Sequence, residues 1–195
     1  MDFVGARKYI LQRLTSELSP ELFYHSLEHT LEVHESARRL NGIENVDENS
    51  KIIIETAALY HDAGMLVNYS DHEAHSVAMI QKILPGFEYT KAEIDQISGL
   101  IMATVMPQRA TNLHEQIICD ADLDYLGRND FYIKSFKLRL EWQVYGIRNT
   151  TLREWVDIQI KFLSEHHYFT RSAITLRNEE KLKNLTEFKQ LIHNS

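Results

Sequence analysis

Leu59-Tyr60-His61-Asp62-Ala63-Gly64 sets a histidine and an aspartate side by side where an apolar helical pattern runs out. Ile54, Ala57, Ala58 and His61 recur at spacings of three and four, which puts them on one helix face. His61 therefore ends a stripe that should point into a core, with Asp62 beside it and Gly64 placed to stop the helix. An ionised carboxylate facing an apolar interior is costly unless a cation meets it. A divalent metal would serve, and it would need further ligands from elsewhere in the chain.

Candidates lie on both sides. Upstream, Tyr24-His25-Ser26-Leu27-Glu28-His29 leads into a helix whose inner face holds His29, Val33, Ser36, Ala37 and Leu40, with Asn41-Gly42 as its expected end. Downstream, Cys119-Asp120-Ala121-Asp122-Leu123-Asp124 carries three aspartates that cannot all face one way on a helix. Asp122 lies four residues from both Ile118 and Leu126, on the apolar stripe with Cys119 and Leu123. Asp120 and Asp124 fall on the other flank, where water can solvate them. Asp122 is thus the carboxylate that needs a partner, although its two neighbours leave the choice of ligand open. Three separate helices bring His29, the His61–Asp62 pair and Asp122 inward. Two imidazoles and two carboxylates suit Mn, Fe, Co, Ni, Zn or Mg, with positions left for water.

Apolar residues elsewhere also recur mostly at helical spacing, and strand-like alternation is nearly absent, so an all-α helical bundle is expected. Helices are predicted over Phe3–Leu18, from Asp47 through the His61–Asp62 pair, His72–Leu84, Thr90–Ala103, Leu113–Leu126, Phe131–Tyr145 and Thr151–His166. A last helix runs from Thr170 toward Ser195, and Pro107–Asn112 reads as a loop. No linker or repeat is visible. Residues 1–195 therefore read as one domain, with a metal-site core over about 24–127 and C-terminal helices 131–195 packing on it. Trp142, Tyr145, Trp155, Phe162, Tyr168 and Phe169 sit at roughly helical spacing and read as core.

The chain's 195 residues carry a formal charge of −7, which argues against a nonspecific nucleic-acid binder. A small phosphorylated substrate stays compatible, because a bound metal can reverse the local potential. Cys119 is the sole cysteine, so there is neither an internal disulfide nor a thiolate cluster. No stretch has the length of a signal peptide's apolar core or of a membrane span, and a cytoplasmic protein is expected.

The order His29…His61-Asp62…Asp122 on a run of helices resembles the HD-domain superfamily of metal-dependent phosphohydrolases, over roughly Tyr24 to Gly127. Tyr24-His25-x-x-x-His29 is similar to the signature of cyclic-nucleotide phosphodiesterases. That likeness implies a ligand role for His29 and protonation of the leaving oxygen by His25. Ala121-Asp122 is similar to the segment that supplies the last ligand in several branches. No Gly-Tyr-Pro follows the His-Asp pair, unlike the cyclic-di-nucleotide branch. Met65 stands where the deoxynucleoside monophosphatases have Glu and the triphosphohydrolases His, which weakens both substrate assignments.

The resemblance implies hydrolysis of a phosphate ester or anhydride, as a phosphomonoesterase or phosphodiesterase, on a nucleotide or similar small molecule. Asp62 is the general-base candidate and His25 the acid, for which an imidazole is suited near neutral pH. Two other classes are carried beside it. One is a di-iron oxygenase, for which His72 or His75 would supply further ligands; the other is a nucleotide- or metal-sensing module without turnover. Arg109, Arg128, Lys137 and Arg139 are the unranked cations for a phosphate.

Overall fold

Helix α3 (Glu48–Tyr60) runs directly into the His61–Asp62 pair. It is apolar nearly all round: Ile53, Ile54, Ala57, Ala58, Leu59 and Tyr60 are all buried. A helix of that kind belongs in the middle of a bundle. It packs on α1 (Phe3–Glu17), α2 (Leu27–Ile43), α5 (Lys91–Ala103) and α6 (Leu113–Asp122). Helix α4 (His72–Ile83) lies across the segment that follows α3, and α7 (Phe131–Val144), α8 (Leu152–Glu165) and α9 (Arg171–His193) complete the chain. The computed structural model describes residues 1–193; Asn194 and Ser195, to which the sequence reading extends the last helix, lie outside the described residues. Among the described residues there is no strand, and the fold is all-α as expected.

Polar side chains set the helix starts. Asp47 accepts a hydrogen bond from Ser50 N at 3.0 Å at the head of α3, and Ser26 caps α2 from His29 N. Thr90 with Glu93 and Thr151 with Glu154 close reciprocal capping boxes on α5 and α8. The buried apolar cluster runs from Ala6 and Ile10 in α1 to Leu185 and Phe188 in α9. Trp155 and Tyr168 join the buried set, whereas Trp142, Tyr145 and Phe162 are half-buried and Phe169 is exposed. No helix among the described residues is long and apolar enough to cross a membrane.

Three local readings differ from the structure. Asn41-Gly42 does not end α2, which continues to Ile43, and Asn41 is fully buried. Gly64 does not stop α3, which ends at Tyr60; Gly64 sits inside a 3-10 turn, Ala63–Leu66. Its missing side chain has a different use. A Cβ there would overlap the His72 carbonyl oxygen and lie 2.7 Å from Ser76 N, so glycine is what lets the first turn of α4 press against this turn. The third difference is that α6 stops at Asp122 rather than Leu126, and a 3-10 turn, Asp124–Gly127, follows. Asp124 therefore leaves the helical projection that placed it on a flank.

Candidate metal centre

His29 lies on the first turn of α2, His61 caps the end of α3, and Asp122 is the last residue of α6. The three offer ligand atoms within 4.8 Å of one another. His29 Nε2 stands 3.4 Å from His61 Nε2 and 3.3 Å from Asp122 Oδ1. Asp62 closes the group, with Oδ2 at 3.1 Å from His61 Nε2 and 3.5 Å from His29 Nε2. His29, His61 and Asp122 thus meet in one place, and Asp62 lies against the two histidines of that group.

The surroundings orient these atoms. His61 Nδ1 faces the Ala58 carbonyl at 2.9 Å, so its N–H donates there and its Nε2 lone pair turns to the cluster. Ser76 Oγ donates to the His61 carbonyl at 2.7 Å and accepts from Gly64 N at 2.7 Å, which fixes the backbone on either side of Asp62. Gln108 Nε2 donates to Asp122 Oδ2 at 3.0 Å, leaving Oδ1 for the histidines.

The electrostatics point to a cation. Burial opposes ionisation of Asp62, yet His61 and His72 hold its carboxyl well below the usual range. Burial likewise opposes charge on Asp122, and His29 with His61 bring it down to about 2. Burial disfavours the charged form of His61, but Asp62 and Asp122 outweigh it and raise its pKa. Two carboxylates thus compete for positive charge on one imidazole. Asp62 Oδ2 is buried and accepts no hydrogen bond, a costly state for a carboxylate oxygen. A divalent ion among the two Nε2 atoms and the two carboxylates would satisfy that oxygen and balance both charges, so the residues present fit one.

A second layer surrounds the centre. His72 Nε2 lies 3.2 Å from Asp62 Oδ1 and 3.5 Å from Glu73 Oε1. Burial lowers the His72 pKa, but the hydrogen bond to Asp62 and the charges of Asp62 and Glu73 together outweigh it, and the net direction is upward. His75 takes no part in the cluster. The His25 ring centre lies 5.4 Å from that of His72 and 6.1 Å from that of His29. Its Nδ1 is hydrogen-bonded to Glu141 Oε1, which also accepts from Tyr69 Oη at 2.9 Å. Glu141 Oε2 accepts from Tyr24 N at 2.8 Å and His25 N at 3.0 Å. This fully buried carboxylate thus has four donors. Burial pushes against its ionisation, but those bonds, His25 first, keep it below the ordinary carboxylate range. Glu141, Tyr69 and Gln108 are the residues that sequence reading missed.

The flanking aspartates correct the sequence reading. Asp120 and Asp124 are not solvated; they are 1% and 4% exposed, while the Asp122 side chain is 14% exposed. Asp120 accepts hydrogen bonds from Phe169 N, Thr170 N and Thr170 Oγ1 at 2.7–2.8 Å, and burial pushes its pKa up to about 6. Asp124 is paired with Arg39 at 2.7 Å and Arg177 at 2.8 Å. Both carboxylates find partners in other segments, which helix projection cannot show.

The cations are mostly engaged. Arg128 pairs with Glu32 and Asp130, Lys137 with Glu28, and Arg139 with Thr150; Arg109 is exposed on the Gln108 loop. A cleft of about 670 Å³ beside α2 is lined by Leu27, Leu31, Arg39, Arg128 and Arg177. Its three arginines are all held by carboxylates.

Comparison with known proteins agrees with this geometry. A search of curated proteins finds no match. Among solved structures, the crystal structure of Bacillus subtilis YpgQ in complex with ADP is similar in fold, with a TM-score of 0.66 at 21% identity. The alignment covers 100% of this chain and 97% of that one. The HD domain family matches residues 26–124, which is 99 of the 195 positions and spans His29, the His61–Asp62 pair and Asp122. The chain belongs to the HD-domain superfamily.

Proposed function

We propose that this protein is a metal-dependent phosphohydrolase that cleaves a phosphate ester or anhydride of a nucleotide or similar small molecule. His29, His61, Asp62 and Asp122 would hold the ion. The observation that carries this is the convergence of His29, His61 and Asp122, with a buried Asp62 oxygen that has no hydrogen bond beside both Nε2 atoms. Family membership supports the reaction class, and the ADP in the crystal of the B. subtilis neighbour favours a nucleotide.

A bound divalent ion would supply Lewis acidity to a phosphoryl oxygen and to an attacking water. The chain's own groups do the rest. Asp62, in contact with the centre through one oxygen and His72 through the other, would accept the proton of the water. His25, as an imidazolium with its Nδ1–H donated to Glu141, would give its Nε2 proton to the leaving oxygen. Because α7 supplies Glu141, and the apolar core extends into α9, we read the described residues from 131 to 193 as part of the same domain as the ligands.

One competing reading has its own observation. His72 beside Asp62 and Glu73 also suits a second ion, as a di-iron oxygenase would require. Metal analysis of the purified protein, then a screen of phosphorylated metabolites including ADP with Mn, Co, Ni and Mg, tests the hydrolase. Two equivalents of iron with substrate-dependent oxygen uptake would favour the alternative.

Chelation is expected to lower thermal stability along with turnover. An ion present at 100 times its Kd stabilises the folded state by about 2.7 kcal/mol. At roughly 2–4 °C per kcal/mol for a chain of this size, the Tm should fall by about 5–11 °C. Unchanged Tm and turnover after complete chelation would remove the metal centre from consideration.

A further inference from the structure

The segment between α5 and α6 sends one side chain to the centre. Met106, Pro107 and Arg109 on it are exposed, but Gln108 is half-buried and its amide donates to Asp122 Oδ2 at 3.0 Å. That bond divides the work of the Asp122 carboxylate between its two oxygens. Oδ2 is occupied by the amide, and Oδ1 faces His29 Nε2 at 3.3 Å and His61 Nε2 at 3.6 Å. A carboxylate at the end of a helix can otherwise rotate about its last torsion and present either oxygen, or both. Asp62 needs no such partner, because His72 holds its outer oxygen at 3.2 Å. The two proposed carboxylate ligands are therefore each fixed by one polar side chain, an imidazole for Asp62 and an amide for Asp122.

We infer that Gln108 is a positioning residue for the metal centre: it limits Asp122 to one-oxygen donation and so keeps room at the ion for a water or a substrate oxygen. The inference rests on the metal site proposed above. A neutral amide suits this place for a physical reason. It donates to the carboxylate without cancelling the negative charge the ion requires, whereas a lysine or arginine would pair with Asp122 and compete with the ion.

The test uses metal alone. Chelator-treated wild-type protein and Gln108→Leu are titrated with Mn²⁺, followed by the loss of the free-ion EPR signal, and with Zn²⁺ in competition with a chromophoric chelator. Met106→Ala, an exposed neighbour on the same loop, serves as the control for loop disturbance. Gln108→Leu should bind both ions about 10–100-fold more weakly than wild type, with the apo-protein Tm unchanged, and Met106→Ala should bind as wild type does. Equal affinities for wild type and Gln108→Leu would overturn the role of Gln108 while leaving the centre in place. An equal loss in Met106→Ala would also overturn it, since the effect would then belong to the loop. A wild-type protein that takes up neither ion would overturn the proposed centre, and this inference with it.

Discussion

Asp122→Asn is expected to cost most of the bound metal and nearly all turnover, with helix content retained. The amide keeps the shape of the carboxylate but not its charge, so the two imidazoles lose an anionic companion at the ion while packing survives. The neighbouring aspartates should respond in another currency. Asp120→Asn keeps one acceptor for the Phe169 and Thr170 donors and loses the charge that strengthens those bonds. A cost of about 1.5–3 kcal/mol in stability is expected, with the metal retained. Asp124→Asn weakens the charged hydrogen bonds from Arg39 and Arg177, whose side chains stay partly exposed, and should cost about 1.5–3 kcal/mol. Metal stoichiometry, kcat and Tm measured on all three single variants separate the roles. If Asp120→Asn strips the metal and Asp122→Asn does not, the assignment of the last ligand is wrong.

His25→Ala should lower kcat by about 10²–10⁴ on substrates whose leaving group is a poor one, and far less on p-nitrophenyl phosphate, whose p-nitrophenolate leaves without protonation. Glu141→Gln should reproduce part of that loss, because a neutral amide no longer fixes the Nδ1–H of His25 as an ionised acceptor does. Two residues that work as one unit are not additive. The double variant is therefore expected to be no slower than His25→Ala alone, once folded protein is matched by Tm. Equal losses on both kinds of substrate with metal retained would contradict an acid role for His25. Additive losses would contradict the coupling.

Much of this was legible in the chain. The 3.6-residue recurrence of apolar positions gave the helices, and it placed His29, His61 and Asp122 on inner faces because those faces are local properties of a helix. What could not be read were partners that meet only in three dimensions. Glu141 lies 116 residues from His25 and reads in sequence as one more charge on an amphipathic helix, between Leu140 and Trp142. Gln108 sits in a loop with no periodicity to orient it. Asp120 and Asp124 face water when their helix is taken alone, yet the Thr170 segment and the arginines of α2 and α9 cover them. Gly64 in sequence suits a helix end, whereas the close approach of α4 that requires it depends on a contact between two segments.

Helix α3, enclosed on nearly every side, has a consequence for how the chain breathes. Amide hydrogens near its end, at Ala58, Leu59 and Tyr60, can reach solvent only when neighbouring helices part. Native-state hydrogen exchange is expected to show them opening with the free energy of global unfolding, while amides at Arg109 and Thr111 exchange through local fluctuations. Similar protection at both places would contradict this. His61 and Asp62 thus follow the helix expected to open last, whereas Gln108, the partner of Asp122, sits on a loop expected to open locally.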